Sequence, residues 1–111
     1  MDISKEELLR INKGFGGNLR SDSSLDYAFE KMNDKKLGMY KKLAYLIRAI
    51  LVDHPFSDAN KRTAAYAALS FAHDFDKEVN QELLTYHIIS IAKQNISNIK
   101  NIEYRLKNAI R

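Results

Sequence analysis

Pro55 is the only proline in the chain, and it falls between the two strongest helical patterns of the sequence. Ahead of it, Leu37, Tyr40, Leu43, Ala44, Leu46, Ile47, Ile50 and Leu51 recur at spacings of three and four. That predicts a core-facing helix of about sixteen residues starting from Lys35. Proline lacks a backbone amide and disfavours helical geometry at the residue before it, so this helix must stop near His54. Beyond it, Ala64, Ala65, Ala67, Ala68, Leu69, Phe71 and Ala72 form an alanine-rich pattern across Asn60 to Phe75. Small side chains let neighbouring helices approach closely, so this run is expected to be the central, most buried helix.

The remaining segments also read as helices. Ser4-Lys5-Glu6-Glu7 has the form of a capping box, followed by an apolar stripe of Leu8, Leu9 and Ile11 up to Gly14. Gly14 to Ser21 holds three of the four glycines and must be loop. No strand precedes it and it has no Gly-Lys-Ser/Thr ending, so it is not a P-loop, and a helix stop with a flexible turn is its plain reading. Ser21 or Ser23 can cap a helix through Leu25, Tyr27, Ala28, Phe29 and Met32, which Asn33 and Asp34 end. Asp74 to Asn80 reads as a connector. Asn80 can cap a helix from Gln81 to about Gln94, and Ser97 another from Asn98 to about Ile110, with Ile99, Ile102, Leu106 and Ile110 on one face. No repeat or alternating strand pattern is visible. The expectation is an all-α bundle of about six helices, with residues 1–111 forming one domain, a size that 45% apolar composition can support.

Composition removes several function classes. Without cysteine there is no disulfide, no thiolate nucleophile and no Cys-type zinc site, which suits a reducing cytosol. The N-terminal residues are polar and no long apolar segment follows, so the expectation is a cytoplasmic protein with no membrane partner. A net charge of +4 arises from 18 basic and 14 acidic residues with the signs mixed, so nucleic acid is not the expected partner. The basic region from Lys93 to Arg111 reads first as a solvated face and second as a binding patch. His73 and His87 have no metal-ligand partner at helical spacing and are expected to be structural. The tyrosines at 27, 40, 45, 66, 86 and 104 fall mostly on apolar faces, as core or rim.

The chemistry concentrates in His54-Pro55-Phe56-Ser57-Asp58-Ala59-Asn60-Lys61-Arg62-Thr63. A helix that starts at Asn60 points its unpaired amides and the positive end of its dipole back into this loop, which is an anion site before any side chain is counted. Lys61 and Arg62 add positive charge to that positive end, a conflict an anionic ligand relieves. Asp58 can hold a divalent cation, since magnesium bound to phosphates usually takes only one or two protein carboxylates. His54 is the one side chain of the stretch able to accept a proton near neutral pH. Base, cation ligand and donors together describe phosphoryl or nucleotidyl transfer.

These ten residues resemble the active-site signature of the Fic/Doc family, in the form carried by Doc (death on curing) toxins. A weaker likeness takes in the Glu-Glu-Leu helix and the Gly-Gly, Ser-Asp loop at Gly16 to Asp22, which in this family is a flap lying across a substrate segment. The resemblance implies that His54 is the base for a target hydroxyl and Asp58 the magnesium ligand. Asn60, Lys61 and Arg62 then bind phosphate, and Phe56 anchors the loop. Family members that transfer AMP resemble His-Pro-Phe-x-Asp/Glu-Gly-Asn-Gly-Arg-x-x-Arg, whereas this chain has Ala59 and Lys61 for the glycines and Ala65 for the second arginine. Doc-type members share the alanine and lysine and transfer the terminal phosphate of ATP, which favours a protein kinase over AMP transfer. They carry a further polar residue where this chain has Tyr66. The resemblance also implies a target in the Tu-type elongation factor, a block of translation and a separate antitoxin. The family's inhibitory string Ser/Thr-x-x-x-Glu-Gly/Asn is not found in this sequence. The alternatives are AMP transfer and, in another class, a non-catalytic binding module using the basic C-terminal helix.

Overall fold

Each apolar run becomes a helix in the computed structural model, which describes residues 2–111. The order is α1 (Lys5–Gly14), α2 (Ser23–Met32), α3 (Met39–Asp53), α4 (Asn60–Asp74), α5 (Gln81–Gln94) and α6 (Ile99–Ala109). The described residues contain no strand; two isolated antiparallel bridges, Leu19 with Phe56 and Val79 with Ile110, are their only β-type pairings. The fold is therefore all-α, and none of its described helices is long and apolar enough to cross a membrane.

The core forms where the periodicity places it. Leu43, Leu46, Ile47, Ile50 and Leu51 of α3 are fully buried, each stabilising the fold by about 1.5–3 kcal/mol on burial. They face α2, α4, α5 and α6, while α4 packs on α1, α3 and α5. The middle of the bundle is thus shared by α3 and α4. Alanine lets α4 come close, but the large apolar side chains that draw in four neighbours belong to α3.

Helix ends depart from the sequence reading by one to four residues, for local reasons. α3 begins at Met39 with Gly38 as its cap, because Lys35 to Leu37 form a turn in which Asp34 Oδ1 accepts from Lys36 N at 2.9 Å. Asp22, not a serine, precedes α2, and its carboxylate leaves the helix amides free and pairs with Lys5 Nζ at 3.1 Å. Lys5 also reaches Asp26 at 2.6 Å, fastening α1 to α2. Asn98, not Ser97, caps α6 by accepting from Asn101 N at 2.9 Å. At α1 only half of the capping box forms: Ser4 Oγ accepts from Glu7 N at 3.1 Å, whereas the Glu7 carboxylate turns to Tyr66 Oη at 2.8 Å. Asn80 caps α5 as expected.

The C-terminal cations are partly consumed inside the fold. Arg105 donates to Asn101 Oδ1 at 2.7 Å and lies 3.0 Å from Nδ1 of the buried His87, so His87 is structural. Lys107 pairs with Glu103 at 3.6 Å. Of the tyrosines, Tyr40, Tyr45 and Tyr66 are half-buried and Tyr27 packs edge-on to Tyr45 at the rim, but Tyr86 and Tyr104 are exposed and belong to neither core nor rim. Burial, and secondarily the Arg105 charge, holds the His87 imidazole below its ordinary 6.5. The unfolded chain then binds the proton more readily, so stability is lost as pH falls below about 6.5 towards the folded-state value. Urea unfolding of His87→Gln, which takes up no proton, is expected to lose that slope.

Candidate active site

α3 delivers His54 at its end, as its C-cap, with left-handed φ 49° and ψ 62°. Histidine is among the non-glycine residues enriched in that region, so the helix stops by a backbone turn as well as by Pro55. A second left-handed residue, Ala59 at φ 61° and ψ 26°, turns the chain into α4. The left-handed region costs a residue with a Cβ about 1–2 kcal/mol, so its surroundings must hold it. Thr63 supplies one hold, its amide at 3.0 Å and its hydroxyl at 2.8 Å both donating to Ala59 O.

Phe56 sinks from this loop into the core, 1% exposed. Asn60 closes the turn around it: Oδ1 accepts from Phe56 N at 3.2 Å and Nδ2 donates to Phe56 O at 3.0 Å. Of the three residues expected to bind phosphate, Asn60 therefore has its carboxamide committed within the loop and presents its backbone amide to the site. Asn60→Ala leaves two part-buried backbone groups without partners and is expected to cost about 1–3 kcal/mol, measurable as a lower urea midpoint.

The glycine-rich segment is not a free turn. Ser57 N donates to Asn18 O at 2.8 Å, Asn18 N to Ser57 Oγ at 3.0 Å and Arg20 N to Pro55 O at 2.8 Å. Arg20 Nη2 also donates to His54 O at 3.2 Å. A short antiparallel edge from Asn18 to Ser21 thus runs beside the signature.

A concavity of about 310 Å³ opens over α4's first turn. His54, Asp58, Asn60, Lys61 and Arg62 all line it, with Phe15 and Ala92 of α5 as apolar walls. The fold therefore brings together every polar residue singled out in the sequence. The α4 N-terminus carries no acidic side chain and no side-chain cap, and the amides of Asn60, Lys61 and Arg62 have no partner among the described residues. Lys61 and Arg62 are exposed and form no ion pair within the described chain. The His54 ring likewise makes no hydrogen bond there, leaving both nitrogens free for a ligand.

Asp58 Oδ1 accepts from Ala59 N at 2.7 Å, and Oδ2 is left free among the described residues. No three ligating side chains gather into a metal cage in the described chain. One free carboxylate oxygen beside an anion-receptive helix end suits a hard cation carried in on phosphates, and the donor set fits magnesium.

Three supporting residues have no role in the sequence reading: Asn12, Arg20 and Thr63. Asn12 has a visible signal, since it lies four residues after Leu8 and so on the buried face of α1, where a carboxamide is out of place. Ala65 packs half-buried against the core, and Tyr66 does not line the cavity but bonds Glu7, which pushes its phenol up.

A family model described as Fic/DOC family matches residues 3–72, from the approach to α1 almost to the end of α4 and across the whole signature. Comparison with curated proteins and with solved structures finds no match.

Proposed function

The chain belongs to the Fic/DOC family, and on that footing we propose that it transfers the terminal phosphate of ATP to a hydroxyl group of a protein. His54 takes the proton of the target hydroxyl as its oxygen bonds to the γ-phosphorus; the bond from that phosphorus to the β,γ-bridging oxygen breaks, and ADP leaves. The amides of Asn60, Lys61 and Arg62, with the two cationic side chains, hold the charge on the transferred group. Asp58 would hold the magnesium ion, which when bound neutralises charge across the phosphates. Every protein group in this scheme lines one cavity.

The observation that carries the choice of phosphate over AMP is Lys61, a residue that lines the cavity where family members that transfer AMP resemble one another in having glycine. Its bulk and charge occupy space that a glycine leaves to the nucleotide. Ala65 supports the same reading, because it offers no second guanidinium. By the same resemblance the protein acts as a toxin on a Tu-type elongation factor and is held in check by a separate antitoxin.

The test is the intact mass of a purified Tu-type elongation factor after incubation with this protein, ATP and magnesium. A gain of one phosphate is expected. A gain of one AMP would replace the kinase reading with nucleotidyl transfer, and an unchanged mass would remove this elongation factor as the target.

A further inference from the structure

Asn12 is 1% exposed, on the last turn of α1, yet its carboxamide is tied into the loop of the site 46 residues away in sequence. Nδ2 donates to Asp58 O at 2.9 Å and to Thr63 Oγ1 at 3.0 Å. Its Oδ1 is buried with no hydrogen-bond partner among the described residues. The orientation of the amide is nonetheless determined, because the Thr63 hydroxyl spends its proton on Ala59 O and so accepts from Asn12. Reversed, the amide would set its oxygen against the Asp58 carbonyl. One buried acceptor is thus left unpaired so that two donors reach the loop, and an orphaned polar group of this kind calls for a reason.

The reason lies in the peptide unit between Asp58 and Ala59. Asn12 holds its carbonyl, and the amide at its other end, Ala59 N, donates to Asp58 Oδ1 at 2.7 Å. Since a peptide unit is planar, fixing the oxygen fixes the direction of the N–H, and with it the carboxylate that this N–H holds. Gly17 closes the arrangement from the other side: a Cβ there would sit 2.5 Å from Asp58 O and 2.8 Å from Asn12 Nδ2. Only glycine lets the flap turn pack against this unit.

We infer that Asn12 is a positioning residue for the magnesium ligand, setting the Asp58 carboxylate through the Asp58–Ala59 peptide and so coupling α1 and the flap turn to metal affinity. The inference rests on the proposed role of Asp58. It assigns no contact with substrate to Asn12 itself.

The experiment measures Mn²⁺ binding in the presence of ADP by calorimetry for the full chain and for Asn12→Asp, Asn12→Leu and Asp58→Asn. ADP binding in chelator and the NMR shift of the Ala59 amide proton are recorded alongside. Asn12→Asp is nearly isosteric and removes the donors; Asn12→Leu removes the whole polar group. A folded Asn12 variant is expected to bind Mn²⁺ at least about fivefold more weakly, as one charge-assisted contact is misplaced, with ADP binding in chelator within twofold. The Ala59 amide proton is expected to move. A purely structural role would leave Mn²⁺ affinity unmoved while lowering the melting temperature. Mn²⁺ affinity within twofold of the parent protein in a variant that folds, while Asp58→Asn loses it, overturns the inference and leaves the role of Asp58 standing. Unchanged affinity in Asp58→Asn overturns the role of Asp58 and the inference with it. If neither Asn12 variant folds, Gly17→Ala presses on the same unit, and unchanged Mn²⁺ affinity there is equally fatal.

Discussion

His54→Ala is expected to lower transfer to the target by about 10²- to 10⁴-fold, the usual contribution of a positioned general base, with nucleotide binding retained. The reason is local: the ring lines the cavity, makes no hydrogen bond within the described chain and stands at the end of a helix whose buried face fixes its place. Because His54 is left-handed, alanine there carries a backbone cost of its own. His54→Asn is the cleaner comparison, since asparagine tolerates that conformation but cannot accept a proton at neutral pH. Rates from intact-mass time courses and melting temperatures for both variants separate the two effects. Transfer by the asparagine variant within tenfold of the parent would remove His54 from the chemistry.

Phe56→Ala is expected to have the largest effect on stability, about 3–5 kcal/mol, because a fully buried aromatic leaves a cavity that the surrounding helices fill only in part. Against a total stability of about 5–15 kcal/mol for a domain of ordinary size, such a loss leaves the variant marginal. It also frees the loop between two strained turns, so nucleotide affinity should fall with stability. Urea unfolding with an unchanged slope and a lower midpoint is the expected signature. A loss below 1 kcal/mol would mean that the Asn60 bonds to the Phe56 backbone hold the loop without the ring.

The helices were legible because their apolar positions repeat at helical spacing and each run is closed by glycine, proline or a capping residue. Their starts were less so. Leu37 fits the period of α3 as well as its true members do, and only the Asp34 turn removes it and the lysines before it. Asp22 could cap α2 but is drawn to Lys5 by a pairing seventeen residues distant, which no local pattern records. The site's chemistry was legible in residue type: a base, a carboxylate and two cations in one short loop leave few other uses. What its members do to one another was not. Asn60, which looks like a phosphate ligand, folds its carboxamide around Phe56, while Asn12, which looks like a lapse in an apolar stripe, reaches into the site.

Periodicity and one proline by themselves determined an all-helical chain, the arrival of His54 at a helix end and the opening of α4 at Asn60. These properties follow from dihedral preferences and from the need to bury one face of each helix, both of which act over a few residues. The tertiary structure alone decided that the glycine loop runs as an edge beside the signature, that α3 shares the centre with α4, and that α1 grips the Asp58 carbonyl. Those outcomes depend on which hydrogen-bond donors meet which acceptors once distant segments are packed. A buried carbonyl takes whatever partner the fold brings to it, and here the fold brings Asn12.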